Sequence, residues 1–327
     1  MTLMRELITS IQTNKQSIVF PEAIDERVLS AASRLYAEDI LTPILIGAGE
    51  DIKKTAEENE LNIEGITSID PEEYEEIEKM VEAFVERRNG KVSPEEAREI
   101  LKDMNYFGTM LVYMGKADGM VSGAIHSTSD TVRPAFQIIK PREGVSVVSG
   151  SFIMTREDER YVFADCGINP DPNEQQLAEI AVESARVAEA FDIKPAKVAM
   201  LSYSTHGSAG GPSVDKVVNA TKIAQEAAPE FDIDGELQFD AALVESVGKS
   251  KAPDSNVAGQ ANVFIFPDLQ SGNIGYKIAQ RFGGFNAIGP LLQGLNKPIN
   301  DLSRGCSAED VYQIAIVTAQ FALMNEA

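Results

Sequence analysis

Short apolar runs and helical periods take turns along this chain, and that alternation constrains its fold more than any other feature. Ser17-Ile18-Val19-Phe20-Pro21 reads as the end of a strand. From Val28 to Glu38 the residues Val28, Leu29, Ala32 and Leu35 share one helical face. Pro43-Ile44-Leu45-Ile46-Gly47 is a second strand, and a second helix follows from Asp51 to Asn59. Strands separated by helices pair in parallel, because a helical crossover is needed to return the chain to the same end of the sheet. An acidic helix from Pro71 to Arg88 comes next, its charges a solvated face. Ser93 caps a helix with Pro94 at its first position, expected to run to about Tyr113. Gly119 to Ala124 is a short strand entering a polar turn.

The rhythm returns further on. Strands are expected at 146–154 and 160–164, forming a hairpin around 155–159, and at Val198–Ser202, Glu236–Asp240 and Val263–Phe266. Helices are expected at Gln175–Phe191, Val214–Ala228, Ile274–Phe282 and Ala308 to about Met324. A chain of 327 residues is comfortable for two cores. The turn Pro141-Arg142-Glu143-Gly144 puts a domain change near residue 147, and the last helix is expected to pack back on the first domain. The expected domains are therefore 1–146 with 298–327, and 147–297.

Composition narrows the partners. The formal charge is −22, against the basic surface that nucleic acid or an anionic membrane requires. Small anionic ligands remain open, provided arginine and lysine cluster locally to meet them. No apolar run reaches the roughly 20 residues of a membrane span. The N-terminus lacks the basic-then-apolar layout of a secretion signal. With Cys166 and Cys306 the only cysteines, no disulfide framework is expected, and the expected location is cytoplasmic.

The segment Asn300-Asp301-Leu302-Ser303-Arg304-Gly305-Cys306-Ser307-Ala308-Glu309-Asp310 gathers a hydroxyl, a guanidinium and a carboxylate just ahead of a helix. A helix start is electropositive, and an arginine beside it suits a phosphate oxyanion. The carboxylate of Asp310 could accept a proton from a nucleophile. Ser307 followed by Asp310 is also close to a capping box, in which Asp310 merely stabilises the helix start. The two roles conflict, since a carboxylate at a helix N-terminus beside Arg304 should have a lowered pKa and be a weaker base.

Three further segments belong to the same search. In Ala124-Ile125-His126-Ser127-Thr128-Ser129-Asp130-Thr131-Val132-Arg133-Pro134, Arg133 is expected in a first helical turn, where a cation calls for an anion. His126 has no second ligand at metal spacing and reads as a structural histidine; no metal site is expected. Ser202-Tyr203-Ser204-Thr205-His206-Gly207-Ser208-Ala209-Gly210-Gly211 is either a tight turn or a phosphate cradle, without the lysine of a P-loop. Pro267-Asp268-Leu269-Gln270-Ser271-Gly272-Asn273 leads into a helix carrying Lys277 and Arg281, either lining a ligand pocket or forming an interdomain turn. Cys166 has no base beside it in sequence and reads as a buried thiol before it reads as a nucleophile.

Together these segments resemble the phosphate acetyl/butyryltransferase family. The resemblance runs over nearly the whole chain: Phe20-Pro21-Glu22-Ala23 with Asp25 and Arg27-Val28-Leu29, Ser129-Asp130-Thr131-Val132-Arg133-Pro134-Ala135, Phe163-Ala164-Asp165-Cys166, Pro267-Asp268-Leu269 through Lys277, and Lys297-Pro298-Ile299-Asn300-Asp301-Leu302-Ser303-Arg304-Gly305. The last is the most specific, and it favours acetyl over butyryl transfer. The resemblance implies two three-layer α/β domains of the isocitrate/isopropylmalate-dehydrogenase type, a site in the cleft between them, and a homodimer. It implies acetyl-CoA plus phosphate interconverting with acetyl phosphate plus CoA, with CoA as a substrate and no cofactor or metal. By motif, Asp310 would be the general base on the CoA thiol. Ser303 would hydrogen-bond the thiol or the tetrahedral oxyanion, and Arg304 would bind the phosphoryl group. Arg133 and Arg87 would contact substrate phosphates, although Arg87-Arg88-Asn89-Gly90-Lys91 departs from the family's Arg-Lys-x-Lys-Gly order. Ser129, Thr131, Asn300, Asn273 and Lys277 would complete the substrate contacts. A decarboxylating dehydrogenase would share the fold type but needs an aspartate cluster for its metal. A non-catalytic CoA or acyl-phosphate sensor would keep Arg133 and Arg304 and make Asp310 dispensable.

Overall fold

In a computed structural model, which describes residues 3–326, the chain divides into two units: one runs up to Lys140 and resumes at Leu295, the other is Pro141–Gly294. The first unit opens with α1 (Leu3–Thr13), β1 (Ser17–Phe20), α2 (Glu26–Ala37), β2 (Thr42–Ile46), α3 (Gly49–Glu58) and β3 (Thr67–Ile69). It continues with α4 (Ile77–Arg87), α5 (Pro94–Ile100), α6 (Met104–Tyr113), β4 (Gly119–Ser122) and α7 (Thr128–Pro134), which runs into a π-helical turn at Ala135–Ile139. The second unit holds β5 (Ser149–Arg156), β6 (Glu159–Ala164), α8 (Glu174–Ala190), β7 (Lys197–Leu201), α9 (Pro212–Ala227) and β8 (Asp232–Leu237). It ends with α10 (Phe239–Leu243), α11 (Glu245–Lys251), β9 (Val263–Ile265), α12 (Leu269–Arg281) and β10 (Asn286–Gln293). The chain then returns to the first unit with β11 (Ile299–Asp301) and α13 (Ala308–Glu326).

The first unit's sheet is wholly parallel, in the order β11-β4-β1-β2-β3. Val19 of β1 pairs with Ile44 on one side and Met120 on the other, and Asn300 of β11 pairs with Val121. Strand order therefore reverses between β1 and β4: the chain winds outward through β2 and β3, then returns to the other side of β1. A parallel sheet wound in this way leaves a crevice at the carboxyl ends of the strands where the winding reverses. The residues that follow β1, β4 and β11 are consequently brought to one place. Ile18, Val19 and Phe20 are fully buried between helices, each side chain contributing roughly 1.5–3 kcal/mol of burial. The helix α13 packs on α1, α2 and β4, so the C-terminal stretch closes the first unit.

The second unit's sheet is mixed, in the order β10-β5-β6-β9-β7-β8. The β10–β5 and β5–β6 pairs are antiparallel, and the remainder are parallel. Phe163 and Phe264 pair across β6 and β9 and pack with Phe152 and Phe266 in its core.

Several elements differ from expectation for local reasons. The stretch after Ser93 is two helices, because Asp103 accepts from the N–H groups of Asn105 and Tyr106 and caps a new start. The acidic helix begins at Ile77, after a turn. Residues 236–240 do not form one strand: β8 ends at Leu237 and α10 starts at Phe239. The helix α12 begins at Leu269, because Asp268 accepts from Ser271 N at 2.8 Å and caps it. Among the described residues no helix is long and apolar enough to cross a membrane.

Candidate functional site

The carboxyl end of β1 delivers Glu22, a carboxylate only 2% exposed. Its charge is met by backbone. Oε2 accepts from Gly123 N and Ala124 N at 2.9 and 2.7 Å, and Oε1 from Ile125 N and His126 N at 3.0 and 2.9 Å. The His126 ring joins at 2.7 Å from Nδ1 to Oε1, so this histidine is a structural partner of Glu22. An unpaired buried charge would be costly, whereas four aligned N–H dipoles fix the loop between β4 and α7. Gly123 is required in that loop. Its φ is +110°, and a Cβ there would lie 2.7 Å from both the N and the O of Leu302, and closer still to the Asp301 carboxylate.

Asp301 ends β11 beside this loop and is 2% exposed. Burial raises its carboxyl to about 6; the Thr128 and Thr131 hydroxyls pull downward, and the Glu22 charge pushes further up. Neither Asp301 Oδ1 nor Thr131 Oγ1 has a hydrogen-bond partner of full geometry, so the hydroxyls offset burial only in part.

Beyond Asp301, Leu302 N still donates to Ser122 O at 2.7 Å, and the chain then turns, with Cys306 N donating to Ser303 O at 2.9 Å. The side chains of Ser303 and Arg304 are exposed. Ser303 Oγ accepts from Gly305 N at 3.3 Å, which leaves its O–H able to donate. Ser307 caps α13: its Oγ accepts from Asp310 N at 3.2 Å. Asp310 Oδ2 in turn accepts from Ser307 N and Ser307 Oγ, both at 2.8 Å. The capping box is therefore present in full, and Asp310 is nonetheless exposed in the first turn of a 19-residue helix. Its place is fixed from the α2 side. Arg34 Nη1 reaches Glu309 at 2.7 Å and lies over the Tyr312 ring, whose hydroxyl donates to Glu38 at 2.6 Å.

The other expected site residues fall in different settings. Arg133 lies in the last turn of the short helix α7, not its first, and pairs with Asp130 at 2.9 Å. The electrostatic reason for expecting an anion there is thus removed, although the guanidinium stays exposed. Ser129 is exposed in the first turn of α7. Thr131 and Asn300 are fully buried; Asn300 Nδ2 donates to Thr318 Oγ1 of α13 at 2.8 Å, so these two side chains support β11 and do not face solvent. Arg87 donates to the carbonyls of Ile138 and Ile139, the latter at 2.8 Å, and lies over Tyr113. Around it the chain is locally basic: the Lys140 ammonium is held below its ordinary pKa by Arg87 first, then by burial, Arg88 and Lys91.

In the second unit, Asn273 and Lys277 stand one turn apart within α12, not at its entrance. Asn273 Nδ2 donates to Cys166 O at 3.1 Å, and its Oδ1 accepts from Lys277 at 2.8 Å. Cys166 is fully buried, and burial, with the neighbouring Asp165 charge, raises its thiol well above the ordinary range. The glycine-rich turn after β7 closes on itself. Glu236 accepts from Ser204 Oγ at 2.8 Å and Gly207 N at 2.7 Å, and Ser204 Oγ accepts from Ala209 N at 2.9 Å. Those N–H groups are occupied, which favours the tight turn over a phosphate cradle.

Sequence reasoning gave Glu22, Arg27 and Asp301 no role of their own. Apart from the local Asp25–Arg27 pair, their partners lie about a hundred or more residues away in the chain, for example Glu22 with His126 and Arg27 with Arg304. The one local signal was the density of charge in Glu22, Asp25 and Arg27 directly after an apolar strand.

A family described as phosphate acetyl/butaryl transferase matches residues 2–319. A phosphate acetyltransferase of Bacillus subtilis (strain 168) is 61% identical over 306 residues, covering 94% of each chain. Among solved structures, a phosphotransacetylase from Streptococcus pyogenes superposes with a TM-score of 0.96 at 59% identity, over 98% of both chains. A phosphotransacetylase from Staphylococcus aureus superposes at 0.94 with 54% identity, again over 98% of both.

Proposed function

The chain belongs to the phosphate acetyl/butaryl transferase family, and on that premise we propose how it interconverts acetyl-CoA and phosphate with acetyl phosphate and CoA. Asp310 takes the proton of the CoA thiol. The thiolate attacks the acetyl carbonyl of acetyl phosphate, the C–O bond to the phosphoryl group breaks, and phosphate departs as an anion held by Arg304. Ser303 donates to the oxyanion of the tetrahedral intermediate, where a positioned donor is most effective. The reverse direction runs the same steps backward.

The observation that carries this reading is the joint exposure of Ser303, Arg304 and Asp310 after β11, at the carboxyl edge where strand order reverses. The two bonds from Ser307 hold the Asp310 carboxylate in place at the start of α13. The same electropositive helix start lowers the pKa of a thiol held near it, which eases the transfer. Arg133, Arg87 and Ser129 are proposed contacts of substrate phosphates, and Asn273 and Lys277 are proposed substrate contacts. Thr131 and Asn300 act by holding β11 and α7. The enzyme is proposed to prefer acetyl to butyryl groups, to use no cofactor beyond its substrates, and to work as a cytoplasmic homodimer.

The test is thiol release from acetyl-CoA and phosphate, or its reverse, by the wild type, Asp310→Asn and Arg304→Gln. Asparagine still accepts from Ser307, so the cap survives while the base is lost. Asp310→Asn should lower kcat by roughly 10²–10⁴ with a modest change in KM. Arg304→Gln should raise KM for phosphate and lower kcat. A near-normal kcat for Asp310→Asn would return Asp310 to a capping role alone. Isotope exchange between acetyl-CoA and CoA without phosphate would contradict direct transfer.

A further inference from the structure

We infer that Arg27 is a positioning residue that sets the place of Ser303 and Arg304 by tying three separate segments to one guanidinium. An arginine has five N–H donors in a rigid planar fork. In this structure each has an acceptor. Nε donates to Asp25 Oδ1 at 3.0 Å and Nη2 to Asp25 Oδ2 at 2.8 Å. Nη2 also donates to Ala124 O at 2.9 Å, and Nη1 donates to both Arg304 O and Cys306 O at 2.9 Å. With every donor engaged by the protein, Arg27 has none to offer a substrate anion. It does something else: it holds the backbone of 304–306 against the start of α2 and the loop that Glu22 fixes.

The arrangement is anchored at its own base. Asp25 caps α2 through Arg27 N and Val28 N, and it orients the guanidinium with both oxygens. Burial works to raise the Asp25 carboxyl, but hydrogen bonds and charge contact with Arg27 outweigh it and hold the group below its usual value. Two carbonyls of one tight turn thus converge on a single rigid cation, while the side chains of Ser303 and Arg304 are exposed. A turn fastened at only one of those carbonyls could swing; fastened at both, it presents Arg304 in one place. The inference rests on the reading that Ser303 and Arg304 perform the chemistry.

The test compares Arg27→Lys with Arg304→Gln, by steady-state kinetics and by thiol labelling of Cys306. A lysine has three donors on one nitrogen and cannot span Asp25, Ala124 and both turn carbonyls. Displacement of a reacting group by about 1 Å can cost on the order of 100-fold. Arg27→Lys should therefore lower kcat by about 10- to 100-fold and raise KM for phosphate. Cys306 Sγ lies 3.8 Å from Nη1 and the residue is 8% exposed, so its thiol should be labelled faster once the turn is loosened. The fully buried Cys166 should be labelled no faster, as the internal control for global unfolding. Asp25→Asn serves as the milder variant: asparagine still caps α2 but loosens the guanidinium, and it should give the same pattern at smaller amplitude. Wild-type kinetics in Arg27→Lys alongside a crippled Arg304→Gln would overturn the inference. So would a loss of activity in which both cysteines become reactive together, or in which Cys306 labelling is unchanged. Wild-type kinetics in Arg304→Gln would instead overturn the functional reading on which the inference rests.

Discussion

Replacing Asp301 by asparagine should stabilise the protein at neutral pH, and the gain should fade as the solution is acidified. The carboxyl of Asp301 titrates at about 6 in the folded chain, against an ordinary value of 3.8. Below 3.8 the group is protonated folded or unfolded and imposes no penalty. Between 3.8 and about 6 the folded state still holds the proton that the unfolded state has released, so stability falls as pH rises. Above about 6 the penalty is constant. The difference of about 2.2 units at 1.36 kcal/mol each gives roughly 3 kcal/mol. Asparagine carries no charge at any pH and nearly the same shape. It must find acceptors for an amide in a site where Oδ1 now has no partner, which offsets part of the gain. The expected stabilisation is thus about 1–3 kcal/mol at pH 7.5, and the difference between the two proteins should fall by roughly 2–3 kcal/mol toward pH 4, reaching zero or below. Urea unfolding of both proteins from pH 4 to 7.5, compared by midpoint at equal slope, measures it. A difference that does not vary with pH, or a variant that is less stable at pH 7.5, would refute the reasoning.

Two other substitutions probe the surroundings. Gly123→Ala should destabilise by at least about 2 kcal/mol in thermal or urea unfolding, because a side chain is strained at φ +110° and its Cβ would crowd Leu302 and Asp301; a neutral result would show that the loop is free to move. Cys166→Ala should leave kcat unchanged while lowering stability by on the order of 1 kcal/mol, since the thiol is fully buried and its pKa raised. A large loss of kcat would make that sulfur part of the chemistry.

How much of this was legible in the sequence follows from the range of each interaction. Helix starts with nearby caps were readable: Ser93 and Glu96 form a reciprocal box, as do Asn173 and Gln176. The strand β10 was not expected, because Gly289-Pro290 interrupts it and its register shifts there. The strand β11 is three residues long, too short to show a period, and is defined by its pairing with β4. The site divides along the same line. Ser303, Arg304 and Asp310 lie within eight positions of each other and formed a recognisable group. Arg133 was misplaced on its helix because Ser127 caps α7 earlier than the polar run indicated. Glu22 and Arg27 act on loops about 100 and 280 residues away, contacts that only the folding of β4 and β11 beside β1 creates. The burial of Asn300 and Thr131 is likewise a property of the sheet, not of their neighbours in sequence.

The account stands on Asp310 as the group that readies the thiol while Arg304 holds the phosphoryl group. A crystal structure with CoA and phosphate bound tests it most directly. The expected result places the thiol sulfur within hydrogen-bonding reach of the Asp310 carboxylate, directly or through one water, and the phosphate on Arg304. A sulfur seated away from both side chains, with Asp310 still bonded only to Ser307, would contradict it.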